Sequence, residues 1–238
     1  MGAAAEGKVT GTKDVTIRFF RASDREGVRK VCADTGFLGS PIDQIFEDRE
    51  LFADYLTSYY TDKEPESTLV CEAGGTIVGY LMGCRNSRAK FWYHAFYNVR
   101  LFLRTLVRYP FYRAASRRYL HWLLWKGRRE EPRSLPGIPH FHFNMLAPWR
   151  SVSRTRHLVD SFLDYLVQNG EKAVYGQVVV FDRRRGEKMF EHYGFQVVDR
   201  VEVTKYAGRF PGSVYLCTVV KDLRENPRLY ASRRPSHE

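Results

Sequence analysis

The sequence predicts an α/β fold, and three observations carry the prediction. Two β-rich runs, residues 68–73 and 76–82, flank the dipeptide Gly74-Gly75 and read as a tight hairpin. A strand–loop–helix follows over 140–168, where the alternating run His140-Phe-His-Phe gives way to a polar turn and an amphipathic stretch. A continuous apolar strand over 173–181, a short helix and two final strands then complete an α/β order. The 238 residues suit one domain enlarged by an insertion, at roughly 100–200 residues per domain.

Each element has its own signal. Residues 1–14 read as a leader outside the fold, and the domain is expected over 15–223. The alternating, β-rich run 15–21 predicts a first strand. Ser23-Asp-Arg-Glu26 reads as a capping box, opening a helix whose apolar face is Val28, Val31 and Cys32. After a loop at 36–41, a second helix over 46–60 turns Phe46, Leu51, Phe52, Tyr55 and Leu56 inward. The hairpin follows, then an insertion over 85–138 with helices at 91–108 and 112–126, interrupted at Pro110. Arg100, Arg104 and Arg108 line one face of the first inserted helix, and Val99, Phe102, Leu103 and Leu106 line another. A proline-punctuated linker over 132–139 leads to a strand at 140–147, a loop at 148–151 and a helix at 153–168 closed by Gly170. A strand at 173–181, a helix at 184–193 stopped by Gly194, and strands at 195–206 and 214–222 complete the domain, leaving 224–238 as a polar tail.

Composition narrows the function classes. The net charge is +11, and residues 85–133 hold 13 basic and two acidic residues, so the rest of the chain is balanced. Basicity is therefore a local device, and nucleic acid is not the expected partner. Cys32, Cys71, Cys84 and Cys217 are scattered without a C-x-x-C pair, which predicts neither a disulfide framework nor a metal site. No apolar run approaches the roughly 20 residues of a membrane span, and residues 1–8 lack the apolar core of a secretory signal. The expected location is the cytoplasm, extending to the inner face of a membrane.

The segment Arg150-Ser-Val-Ser-Arg-Thr155 is the first candidate site, because it follows a strand and opens a helix. A helix N-terminus offers unpaired amides and about half a positive charge, which suits a pyrophosphate. Arg150, Arg154 and Arg156 would add cationic contacts; the same residues also make a polar, well-capped helix start. On the preceding strand, alternation sends His140 and His142 to one face and Phe141 and Phe143 to the other. An imidazole of pKa ~6.5 can take a proton from an amine, so His142, nearer the end of the strand, and His140 are candidate bases. A hydrogen-bonded structural pair is the other reading, and no third ligand suggests a metal.

The order of elements, the segment 140–150 with the helix after it, and Phe181-Asp-Arg-Arg-Arg-Gly-Glu-Lys-Met-Phe-Glu-His-Tyr-Gly-Phe195 resemble the GNAT superfamily of acyl-CoA N-acyltransferases. The resemblance covers 16–223 apart from the insertion. It implies a mixed, mostly antiparallel sheet flanked by helices, with the insertion entering before the fourth strand. It also implies acetyl-CoA or another acyl-CoA as co-substrate and a primary amine as acceptor, joined by direct attack in a ternary complex. By that resemblance Arg150, Ser151, Val152, Ser153, Arg154, Thr155 and Arg156 would hold the pyrophosphate. Backbone groups of Asn144, Met145, Leu146 and Ala147 would grip the pantetheine. The family loop Arg/Gln-x-x-Gly-x-Gly/Ala falls on Arg150, Ser153 and Thr155, so the arginine is present and both glycines are replaced. Phe190 stands where the family often has a tyrosine acid, Arg183 where many relatives have asparagine, and Tyr193 is the nearest substitute donor.

Two alternatives stay open: a catalytically silent GNAT-fold binding module, and a transferase fed by an acyl carrier protein. The insertion allows several readings as well, since 12 of the 35 aromatic residues lie between Phe91 and Trp125 among the arginines. It can be a solvated hairpin packed on the core, a membrane-surface element, a dock for an acyl carrier protein, or a lid over a lipid-like acceptor.

Overall fold

The computed structural model describes residues 14–181 and 187–229. Its centre is a seven-stranded sheet, built from β1 (Thr16–Phe19), β2 (Thr68–Ala73), β3 (Thr76–Cys84), β4 (His140–Met145), β5 (Ala173–Phe181), β6 (Gln196–Glu202) and β7 (Val214–Asp222). The strand order is β1-β2-β3-β4-β5-β7-β6. Every neighbouring pair is antiparallel except β4–β5, as the mixed-sheet expectation requires.

Alternation along the strands feeds two cores. On one face Val70, Tyr80 and Met82 pack beneath α1 (Arg25–Thr35) and α2 (Arg49–Asp62), with Val28, Val31 and Cys32 of α1 at the centre. On the other, Leu81, Phe141 and Met145 meet α5 (Val152–Gln168), which buries Leu158, Phe162, Leu163 and Leu166 at helical spacing. Full burial of such side chains contributes about 1.5–3 kcal/mol each. Gly83 lets α5 lie this close: a Cβ there would come within 2.3 Å of the Phe162 ring. A short helix α6 (Glu187–His192) follows β5, and the start expected near residue 184 lies outside the described residues, as does Arg183.

Several boundaries differ from expectation for local reasons. The first helix is introduced by a 3-10 turn at Ala22–Asp24, where the Asp24 carboxylate accepts from Arg21 N–H at 2.7 Å; the Ser23–Glu26 box does not form the cap. The second helix starts later than 46 because Asp48 is its N-cap and accepts from Leu51 N–H at 2.9 Å. β4 stops at Met145, since Ala147–Trp149 is a 3-10 turn containing Pro148, and β6 stops at Glu202 before another at Thr204–Tyr206. The described part of the expected tail folds back: Leu229 is buried, and its N–H donates to Asp160 of α5 at 2.8 Å.

The segment expected to be an insertion, 85–138, forms α3 (Ser87–Arg108) and α4 (Ala114–Trp125). The inward side of α3 mixes Leu101, Tyr93 and Tyr97, which pack on the α1–α2 core, with Arg104 and Arg108, while Arg100 of the expected arginine stripe is exposed. Arg104 bonds Asp48 and Asp54 of the α2 region at 3.3 and 3.2 Å, and Arg108 reaches Asp48 at 2.7 Å. Val99, Phe102, Leu103 and Leu106 face solvent instead.

Candidate functional site

β4 pairs with β5 only at His140↔Tyr175 and Phe141↔Gly176, yet β4 runs on to Met145 and β5 to Phe181. The two strands therefore part, and their unpaired edges face one another beyond residue 141. Backbone phase decides which groups look into that gap. Leu146 N–H donates to Val78 at 2.9 Å, and Met145 is opposite Gly79. In an antiparallel ladder donors alternate between the two edges, so the Asn144 and Leu146 amides point to β3 and the Phe143 and Met145 amides toward β5. This corrects the expected set: Asn144 and Leu146 cannot offer backbone donors to a ligand in the gap. Ala147 lies in the 3-10 turn and is exposed.

Arg150 is also used differently from the expected pyrophosphate contact. Its Nε donates to the Met145 carbonyl at 2.6 Å and its Nη2 to the Gly39 carbonyl at 2.8 Å, bracing the end of β4 against loop 36–41. Gly39 has φ 92°, a left-handed backbone that favours glycine, and its Cα lies against the Arg150 guanidinium.

The α5 N-terminus lies just beyond. Ser151 is the N-cap, and its Oγ accepts from Arg154 N–H at 3.2 Å. Val152 and Ser153, the first two helical residues, are exposed, and the first turn contains no acid. Arg154 donates to the Trp149 carbonyl at 3.2 Å, Arg156 pairs with Asp160 at 3.4 Å, and Thr155 is half-buried. The anion-facing groups of this turn are thus the leading amides and the serine hydroxyls, with the arginines turned to protein partners.

On the α1–α2 side of β4, His140, His142 and Asn144 line up as alternation predicts. Asn144 Nδ2 donates to the Tyr80 hydroxyl at 3.0 Å. Lys90 of α3 donates to His140 Nε2 at 2.8 Å and to the Tyr60 hydroxyl at 2.7 Å. That network makes Nε2 of His140 an acceptor and puts its ring proton on Nδ1, which is buried without a partner among the described residues. The His142 ring lies parallel to Tyr60, with centroids 6.2 Å apart, and its Nε2 is likewise buried without a partner. Burial first, and then the Lys90 charge, push the His142 pKa down to about 4; the same causes, with His142, hold His140 well below the ordinary value. Both rings are neutral near pH 7, and neither is the base of pKa ~6.5 that the residue type alone suggests. Each ring thus has one nitrogen without a partner among the described residues, but that of His140 carries the ring proton, so only His142 Nε2 is left as a candidate acceptor.

Lys90 escaped the sequence reading. Its signal was present: Lys90, Tyr97, Arg104 and Arg108 are seven, seven and four apart, on one helical face.

Phe190 is buried against α5, which leaves no hydroxyl where the family often has one. Tyr193 packs at the edge of the same core and accepts from Lys221 through its carbonyl at 2.8 Å. Among the described residues no group of three His, Cys, Asp or Glu side chains could hold a metal, and all four cysteines are buried thiols.

No family model matches the chain, and no curated protein matches it in sequence. Solved structures do match its fold. SsHAT is 22% identical with a TM-score of 0.53, aligning 86% of this chain with 98% of that one. The Drosophila melanogaster polyamine N-acetyltransferase is 13% identical at 0.52, over 88% and 100%. A GCN5-related N-acetyltransferase from Kribbella flavida is 15% identical at 0.51, over 88% and 98%. The chain has the GNAT fold. At these identities the likeness is one of architecture, and the parted strands with a helix start beyond them are the features of that fold on which a function can be argued. A groove of about 930 Å³ lies elsewhere, between the α2 end and α3, lined by Glu64, Arg85, Trp92 and Tyr93 among others.

Proposed function

We propose that the chain is a GNAT-type N-acyltransferase that moves an acyl group, acetyl in the simplest case, from acyl-CoA to a primary amine. One observation carries the reading: β4 and β5 separate after Phe141, with an acid-free, exposed helix start following β4. Acyl-CoA supplies the activated thioester. The Val152 and Ser153 amides meet the diphosphate, with the Ser151 and Ser153 hydroxyls beside them. The Phe143 and Met145 amides on the open edge of β4 orient the pantetheine arm, and either can polarise the thioester carbonyl. The neutral amine attacks the carbonyl carbon, the C–N bond forms and the C–S bond breaks; the surplus proton on nitrogen passes to solvent, and the leaving thiolate takes a proton from solvent. His142 Nε2 accepts a hydrogen bond from the amine and orients its lone pair. With a pKa of about 4 it positions the neutral acceptor better than it removes a proton from an ammonium.

Titration calorimetry with acetyl-CoA and longer acyl-CoAs, followed by thiol release with a panel of primary amines, tests the reading. Micromolar binding and amine-dependent release are expected. Absence of binding by every acyl-CoA refutes it and leaves the silent binding module, which buried Phe190 and the engaged Arg150 already favour. A carrier-protein donor has less support, since Arg104 and Arg108 are committed to Asp48 and Asp54.

A further inference from the structure

The outer face of α3 is apolar and without a partner among the described residues. Trp92, Phe96, Val99, Phe102, Leu103 and Leu106 are between 48% and 75% exposed. At 3.6 residues per turn they share an arc of about 120° and a length of about 21 Å. The opposite side of the same helix carries Lys90, Arg104 and Arg108, each engaged with a protein partner. Leu101, Tyr93 and Tyr97 already seat α3 on the core, so the exposed arc is a second apolar stripe that the fold leaves uncovered, and a continuous patch of this kind marks an interaction surface.

Charge selects the occupant. No Asp or Glu occurs from residue 73 to 129, while Arg88, Arg100, Arg117, Arg118 and Lys126 are exposed there. Arg88 lies one turn before Trp92 on the apolar arc, and Arg100 lies at its margin. A two-fold contact between copies would set these cations against each other, whereas an anionic surface neutralises them. A bilayer also accepts a convex helix with no matching groove, and indole and phenyl rings sit well at its boundary. No described helix is long and apolar enough to cross a membrane, so the mode is surface attachment.

We propose that α3 lies along an anionic lipid surface, its apolar arc in the headgroup–acyl boundary and Arg88 and Arg100 at the lipid phosphates. This attachment stands apart from acyl transfer and holds whether or not an acyl-CoA binds.

Flotation of the full chain with vesicles tests it, using phosphatidylcholine alone and phosphatidylcholine with roughly one third phosphatidylglycerol. The protein is expected to float only with the anionic vesicles. Arg88→Glu with Arg100→Glu should weaken partitioning at least about 25-fold, about fivefold per charge. Trp92→Ser, Phe96→Ser and Leu103→Ser together should abolish flotation and leave the melting temperature within a few degrees, because these side chains are exposed. Failure to float with either vesicle overturns the proposal, and so does equal flotation of the triple variant. A concentration-dependent dimer that disappears in the triple variant, with no flotation, assigns the face to a second copy and overturns it too.

Discussion

His142→Phe should flatten the acid side of the stability curve. In the folded protein His142 titrates at about 4 against an ordinary 6.5, with burial and the Lys90 charge as causes. Between those values the unfolded chain binds a proton that the folded chain does not, so stability rises with pH across this window. Above 6.5 the histidine adds no pH dependence. Below 4 its whole contribution has been lost, on the order of 3 kcal/mol at about 1.4 kcal/mol per pH unit. Phenylalanine keeps the ring between Tyr60 and Tyr80 and removes both the titration and the unpartnered Nε2. Urea midpoints of wild type and variant, measured at half-unit steps from pH 4 to 8, should lie furthest apart at pH 4 with the variant the more stable, converge as pH rises toward 6.5 and run parallel above 7. At pH 8 the variant should be as stable as wild type, or more stable by about 1–3 kcal/mol, because a buried polar atom is gone. Any acid-sensitive carboxylates are common to both proteins and cancel in the difference. Parallel curves through the whole range would show that His142 is solvated and ordinary in its titration, and the positioning role assigned to it would fall with that result.

Four other outcomes follow from the same geometry. The pH profile of kcat/KM should show no inflection near 6.5 from His142, its limb falling near 4 and the acceptor amine governing the rise at higher pH. Asp48→Ala removes the α2 cap, strands Arg108 and the Tyr112 hydroxyl and leaves Arg104 with Asp54 alone, so urea unfolding should show a loss of about 3–5 kcal/mol. Gly83→Ala places a methyl against Phe162 and should cost about 1–3 kcal/mol by the same measurement. Ser153→Asp puts a carboxylate at the α5 start: calorimetry should show acyl-CoA affinity falling at least about tenfold, while the melting temperature holds or rises from the favourable helix-end charge.

The strand order around the hairpin was legible because its information is local. Gly74 and Gly75 adopt φ of 55° and 77°, and the flanking runs alternate into two cores. The α5 start was legible for the same reason, since Ser151 caps within its own turn. Lys90 was not, because its partner His140 is fifty residues away and only the folded insertion brings them together. The edges of β4 were hidden more deeply. Alternation tells which face a side chain takes, but the same period of two also governs which edge an amide takes, and that phase is set by pairing with Val78 and Gly79. A residue-by-residue transfer of pantetheine contacts therefore named Asn144 and Leu146 beside Met145, while the backbone offers Phe143 and Met145.

The outward stripe of α3 shows where pattern reasoning fails for a physical cause. The usual rule turns the apolar stripe inward because burial of hydrocarbon outweighs the loss of solvated charge. Here α2 begins at a nearly buried carboxylate, Asp48, with Asp54 two turns on, and among the described residues no other basic side chain is bonded to Asp48. An unpaired carboxylate in that position would cost more than an exposed apolar arc, since a stranded buried charge costs several kcal/mol. The acids of α2 thus draw Arg104 and Arg108 inward, and rotation about a common axis carries Val99, Leu103 and Leu106 out. If Asp48 and Asp54 are replaced by leucine together, the balance reverses. The α3 stripe then gains an apolar seat on α2, and the arginines gain water by turning outward. Hydrogen exchange along α3, together with vesicle flotation, would report that rotation as new protection of the stripe with loss of anionic binding. Retained flotation and unchanged exchange would mean that something other than the two carboxylates orients the helix.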